Sequence, residues 1–315
     1  MDAAWNFINK IWNASRFVIM NLPDDAKPAH MPDTSKFDLA DSWIFDRLNH
    51  TVSEVTRLFD EYQFGEAGRE LYNFIWNDFC DWYIEISKVA LNGDDEELKA
   101  RKQENLIWIL DQILRLMHPI MPFVTEKLWL SMPHEGESIM VADYPVTHQE
   151  FENKQADEDM AFLIEIIKAV RNIRMEVNAP MSSSIDIMIQ LDNAENKHIL
   201  DDNMDYVNNF LHPKSLEVST KIDAPKLAKN AVVPGAQIFV PLTELVNVDE
   251  EIAKMEKEEK HLEDEVARAE KKLANKGFVD HAPAAVVEKE QAKKADYESQ
   301  LAGVRQRIQD LKESN

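Results

Sequence analysis

A mainly α protein with a small α/β insert is what this sequence predicts, and three observations carry that expectation. Only seven of its 315 residues are glycine, well under the usual share of about 7%. Doubly wound α/β folds spend glycine on their tight turns, so the shortage favours helices. Apolar residues also recur at spacings of three and four along most of the chain, the period of a helix with one buried face. Beyond Val248 that spacing settles into heptads, the seam of a coiled coil.

Residues 1–150 read as a helical bundle. A first helix runs from about Ala3 to Asn21 and stops before Pro23. After a loop holding Pro23, Pro28 and Pro32, Asp38 or Asp41 is placed to cap a helix that reaches about Tyr62. Phe64-Gly65-Glu66 opens a third helix ending near Leu91. Asn92-Gly93-Asp94-Asp95 is a turn, and Asp94 or Asp95 can cap a fourth helix up to His118. Pro119 and Pro122 then reset the axis for a short helix through Leu130.

Residues 151–246 form a linking helix and a small α/β subdomain. Leu163, Ile167, Val170, Ile173 and Val177 sit at helical spacing, and then the period changes. Ile185, Ile187, Ile189 and Leu191 alternate strictly, as a half-buried strand does. A helix over about 195–211 follows, with Leu200, Met204, Val207 and Leu211 facing inward. Leu216 and Val218, then Ile238, Val240 and Leu242, give two more strands and a βαββ unit.

Residues 247–315 carry two seams, Ile252, Met255, Glu259, Leu262, Val266, Ala269, Leu273 and Val287, Glu290, Lys294, Tyr297, Leu301, Val304, Ile308, Leu311. Between them lies Gly277-Phe278-Val279-Asp280-His281-Ala282-Pro283. Glycine ends a helix readily and proline suits the first turn of the next, so the break reads as the tip of an antiparallel hairpin. Each arm is about 40 Å long at about 1.5 Å per residue.

Composition excludes several function classes. The chain carries 35 Lys+Arg against 58 Asp+Glu, a net charge of −23. Such a surface opposes sequence-blind DNA binding, although local basic patches still act within a Debye length of about 8 Å. A single cysteine, Cys80, builds neither a disulfide framework nor a cysteine-rich zinc module. No apolar run reaches the roughly 18 residues of a membrane span and no signal peptide opens the chain, so a cytoplasmic protein is expected. The sequence holds no glycine-rich phosphate loop, no clustered metal ligands and no catalytic constellation.

The candidate sites are binding faces. In NFINKIWNASRF (6–17), Asn6, Asn9, Lys10, Asn13 and Arg16 form one polar stripe, opposite Ile8, Ile11, Trp12, Ser15 and Ile19. Asparagine is a poor helix former on a surface, but its amide both donates and accepts, and arginine adds a planar fork. That is equipment for base edges and phosphates, set against a polar face that merely happens to hold asparagines. LYNFIWNDFCDWY (71–83) has six aromatics in thirteen positions. They read as bundle core more readily than as a base platform, with Asn73 and Asn77 left as polar readers. His118 lies beside Pro119 without a partnered carboxylate or nucleophile, which suits a structural role. Arg171 and Arg174, three apart, suit a phosphate clamp and a snorkelled pair equally well.

The hairpin's charge is graded. Over 246–265 nine acids face three lysines, net −6, whereas over 266–294 seven bases face four acids, net +3. An anionic partner at the tip accounts for that gradient, through Arg268, Lys271, Lys272, Lys276, Lys289 and Lys293, with apolar Phe278 beside them.

Taken in order, NFINKIWNASRF, FGEAGRELYNFIWNDFCDWYIEISK (64–88), LRLMHPIMPFVTEKLW (114–129), AVRNIRMEVN (169–178) and NKGFVDHAPAAVVEKEQAKK (275–294) resemble the C-terminal half of valyl-tRNA synthetases, class I aminoacyl-tRNA synthetases. The likeness spans nearly the whole chain, and the hairpin favours the valyl family over its isoleucyl relatives. It implies an anticodon-binding bundle that meets the tRNA-Val anticodon. It also implies a coiled-coil arm that braces the tRNA elbow, where Phe278 could stack. Where the family usually has arginine before the NF pair, this chain has Trp5. The HIGH-like and KMSKS-like signatures for ATP are missing, so the likeness implies a piece of a longer enzyme that needs ATP and Mg2+ as a whole. The piece itself is expected to be catalytically inactive, free of cofactors, monomeric, and indifferent to DNA and membranes. The competing expectation is an assembly module that dimerises through the coiled coil and binds no RNA.

Overall fold

The computed structural model describes residues 2–177, 179–180, 184–225, 227–241, 248–274 and 284–313. They divide into two compact units, Met1–Ile164 with Ile199–Asn209, and Glu165–His198 with Phe210–Asn315.

The first unit is the bundle: α1 (Asp2–Met20), α2 (Leu39–Asp60), α3 (Phe64–Asn73), α4 (Ile84–Leu91), α5 (Glu96–Met117) and α6 (Pro122–Trp129). Caps fix the starts. Asp38 accepts from the Asp41 backbone N–H while Asp41 reaches back to Asp38, a reciprocal box that opens α2. Asp95 accepts from the N–H groups of Glu97 and Leu98 at the head of α5. Tyr62 takes a left-handed φ of 59° just past α2, and Gln63 N–H then returns 2.8 Å to the Leu58 carbonyl. That closes the helix as glycine usually does.

The third helix is not continuous as expected. Between α3 and α4, Phe74–Tyr83 winds as a wider π-helical stretch. Aromatics crowd several sides of this segment, and Phe74, Phe79, Trp82 and Tyr83 are all buried. The aromatic core also gathers Phe45, Trp108 and Phe151, whose ring centroids lie 4.9–5.2 Å apart.

Helix α7 (Lys154–Glu176) contributes to both units. In the second unit the sheet has four strands rather than the three expected. They are β1 (Ile185–Leu191), β2 (Pro213–Ser219), β3 (Ala228–Val233) and β4 (Ala236–Pro241), in order β2-β1-β4-β3. β1 and β2 are parallel, and β4 runs antiparallel to both β1 and β3. A parallel pair needs a crossover, supplied by the helical segment between β1 and β2. Strand β3, AKNAVV, escaped the sequence because only Val233 in it is buried. Pro234 and Gly235, the latter at φ 85°, turn it directly into β4. The crossover helix also breaks, into α8 (Lys197–Asp201) and α9 (Met204–Leu211). The Asn203 side-chain amide donates to the Ile199 carbonyl while its own backbone carbonyl accepts from Tyr206 and Val207. One asparagine thus closes one helix and starts the next.

The arm consists of α10 (Val248–Ala274) and α11 (Ala284–Glu313) packed along one another. Lys272 meets Glu290, Glu270 meets Lys294, and Glu259 meets Arg305, so the helices run antiparallel. The seam residues from Met255 to Leu273, and from Val287 to Ile308, are buried or half-buried.

Candidate nucleic-acid interface

α1 presents most of the expected stripe to solvent. Ile11, Ala14, Ser15 and Val18 are buried, whereas Asn6, Asn9, Asn13 and Arg16 are exposed. Trp12 departs from expectation, because it is 42% exposed. A helix buries a stripe centred on Ile11 and Val18, and Trp12 lies past its edge.

Lys10 is not an open cation. Its Nζ lies 2.6 Å from Asp81 Oδ1 and 4.8 Å above the Trp76 ring. Beside it, Phe7 meets Tyr72 at 5.1 Å, and Tyr72 stacks on Trp76 at 5.4 Å with planes 17° apart. These contacts bring α1 against the π-helical stretch, with Asn73 and Asn77 exposed next to it. The structure therefore sets Lys10 of the α1 stripe against the segment that carries Asn73 and Asn77, while Asn6, Asn9, Asn13 and Arg16 stand exposed along the same helix. Arg16 is its exposed cation, while Lys10 is shared with Asp81.

The remaining aromatics of residues 71–83 are core, with Leu71, Ile75, Trp82 and Ile86 all buried as their spacing implied. His118 Nδ1 lies 2.8 Å from Thr125 Oγ1, which also donates to the Met121 carbonyl. The ring braces the Pro119–Pro122 turn.

Arg171 and Arg174 do not form a phosphate clamp. Arg174 is 1% exposed. Its Nη1 donates to the Pro180 carbonyl at 3.0 Å and its Nη2 to the Leu211 carbonyl at 2.5 Å. Burial pulls its pKa below the ordinary value, and its donors hold chain turns together. Arg171 is half-buried, with its guanidinium carbon 4.9 Å from the Phe210 ring centroid. The missing signal was depth, which spacing alone does not convey.

In the arm, Arg268 pairs with Glu265, and Lys272 reaches Glu290 at 3.0 Å. Lys271, Lys289 and Lys293 are exposed towards the tip-proximal ends of α10 and α11. Lys276 and Phe278 lie outside the described residues. The polar seam positions are matched within the hairpin: Glu259 accepts from Arg305, which also reaches Glu263, and Lys294 meets Glu270 and Glu298. The hairpin thus satisfies its own polar seam.

A buried charge cluster went unnoticed in the sequence. Lys102, 1% exposed, places its Nζ 2.6 Å from Asp41 and 2.7 Å from Asp38. Tyr83 donates to Asp41 at 2.7 Å and Tyr206 to Asp38 at 2.8 Å. Burial opposes charge throughout, yet the paired carboxylates hold Lys102 above its ordinary pKa. Lys102 likewise holds Asp38 below its own ordinary value against burial. Burial pushes Asp41 up, opposed by Lys102 and aided by Asp38. The available signal was Lys102 at helical spacing before Leu106, Ile109 and Ile113, a charge on an apolar stripe. The cluster ties α2 to α5.

Among the described residues no His, Cys, Asp and Glu group is arranged to hold a metal ion, and no helix is long and apolar enough to cross a membrane.

Residues 41–189 match the family model for the anticodon-binding domain of tRNA ligases. Residues 247–312 match the model for the tRNA-binding arm of valyl-tRNA synthetase. The chain is 85% identical over 314 residues to a valine–tRNA ligase of Lactobacillus johnsonii and 86% identical to that of Lactobacillus acidophilus. It is 56% identical over 312 residues to the valine–tRNA ligase of Latilactobacillus sakei. Each alignment takes in essentially all of this chain but only 35–36% of the relative's length.

Proposed function

Since this chain belongs to the valyl-tRNA synthetase family, whose tRNA-binding arm and anticodon-binding domain it carries, we propose that it grips tRNA-Val at two points. The bundle meets the anticodon along α1, with Asn6, Asn9 and Asn13 offering amides to base edges and Arg16 reaching phosphate or base. The arm meets the tRNA elbow through exposed Lys271, Lys289 and Lys293. The observation that carries this reading is the closed hairpin over the arm-matched residues. Its charged seam positions are paired internally, while those three lysines remain exposed. Among the described residues the seam is closed within the hairpin, which supports a monomer; the protein is placed in the cytoplasm as part of the same proposal. As part of the same proposal, any use of ATP and Mg2+ belongs to the longer protein and not to this region.

The test is binding of the chain to tRNA-Val across a salt series, beside a tRNA with exchanged anticodon. Affinity is expected to fall steeply as salt rises, and the exchanged tRNA to bind more weakly. Changing Lys271, Lys289 and Lys293 to Glu should lower the log–log salt slope, by up to about 0.9 for each phosphate no longer neutralised. Salt-independent binding, or equal preference for both tRNAs, would sink the two-point reading.

A further inference from the structure

The exposed face of α1 has two unlike edges. On one edge the rings satisfy each other: Phe7 packs on Tyr72, Tyr72 stacks on Trp76, and Lys10 covers Trp76. On the other edge stand Trp5 and Trp12, 64% and 42% exposed. Seven residues apart, they fall on one side of the helix and about 10 Å apart along its axis. That is close to three base rises of about 3.4 Å each. Asn9 lies between them, and Arg16 follows Trp12 by one turn. Large indoles are costly to leave in water, and each offers a flat π-face suited to any unpaired base.

Resting on the reading that this bundle receives single-stranded anticodon bases, we propose that Trp5 and Trp12 form its stacking platform. They hold splayed bases by their faces while Asn9 and Asn13 read edges and Arg16 holds the backbone. Affinity would then come from stacking, which tolerates any base, and discrimination from the amides.

The experiment compares two RNAs, an anticodon stem-loop and the same stem-loop with abasic loop positions. The wild-type chain is set beside the Trp5→Ala/Trp12→Ala and Trp5→Phe/Trp12→Phe variants. On the intact loop the alanine pair should bind at least about fivefold more weakly, and up to about 150-fold if one full stack is removed. Phenylalanine should restore most of the affinity. On the abasic loop all three proteins should bind alike, because phosphates remain and bases do not. An equal weakening on both RNAs would overturn the platform, as would unchanged binding of the alanine pair. If that unchanged pair also abolished a wild-type dimer in sedimentation, the indoles would be a protein contact instead. Should the alanine pair bind normally and still discriminate anticodons, the platform falls and the two-point reading stands. A wild-type chain that binds neither tRNA nor stem-loop ends both.

Discussion

Lys102 in the bundle and Lys294 in the arm both lie on an apolar stripe, yet the two regions treat them differently. Lys102 is enclosed by two carboxylates at 1% exposure. Lys294 is half-buried and reaches outward to Glu270 and Glu298. The difference follows from thickness. A bundle several helices deep surrounds a charge and must neutralise it internally. A two-helix arm buries only a narrow line, with Leu262, Ala269, Leu301 and Ile308 its deepest described residues, and leaves charges beside water. Buried pairs of the first kind are costly to break, whereas those of the second kind mainly fix register.

The sharpest way to break the contrast is Lys102→Met. It strands buried Asp41 beside the partly exposed Asp38, and the bundle should lose about 3 kcal/mol, the low end for a broken buried pair, in denaturant unfolding. Amide exchange in the arm should stay as it was. A loss no larger than that of an ordinary surface substitution would show that Asp38 and Asp41 are rescued by water.

Next comes Leu301→Ala, expected to cost about 2 kcal/mol, near the low end for a buried leucine because the arm can partly collapse around the gap. Hydrogen exchange should quicken across α10 and α11 together, since neither helix holds its seam alone. Faster exchange in α11 only would contradict a cooperative hairpin.

The third effect is one of pH. Burial pushes the Cys80 thiol from 9.0 up to about 12, and likewise holds the Tyr83 phenol well above its ordinary value. A raised pKa gives stability that is complete below the unfolded value only while the group stays protonated when folded; as pH climbs past the unfolded value, the unfolded chain sheds its proton first and is favoured. Bundle stability should therefore decline from about pH 9 to about pH 12, by up to about 1.4 kcal/mol per pH unit for each such group. Denaturant melts at stepped pH should show a shallower decline for Cys80→Ala. An identical slope would mean that the thiol titrates freely.

Much of this was legible in the residues. Asp38 or Asp41, and Asp94 or Asp95, marked two helix starts, of which the structure uses Asp38 and Asp95; Ile185 to Leu191 alternated as a strand must, and the heptads named the seam from Met255 to Leu273 and from Val287 to Ile308. Three things were hidden, each for a physical reason. Strand β3 pairs through its backbone and needs few apolar side chains. The π-helical stretch and its flanks keep Leu71, Ile75, Trp82 and Ile86 at the spacing of an ordinary helix, so its wider winding is not announced by periodicity. The fates of Trp12, Arg174 and Lys102 depend on what packs against them from distant parts of the chain, which periodicity along one helix does not encode. At the candidate site, the exposed amides of α1 could be read in advance, but the Asp81 that occupies Lys10 could not.

The antiparallel register of the arm has a consequence for length. Removing one heptad from α10 and the facing heptad from α11 would leave every remaining cross-pair opposite its partner, yet bring the tip about 10 Å nearer the base. Removing seven residues from one helix alone, between Glu259 and Glu270, would misalign Glu259 and Arg305 while leaving Lys272 and Glu290 opposite each other. The hairpin is thus a ruler that can be cut only in matched steps, and its reach is written as a count of paired heptads.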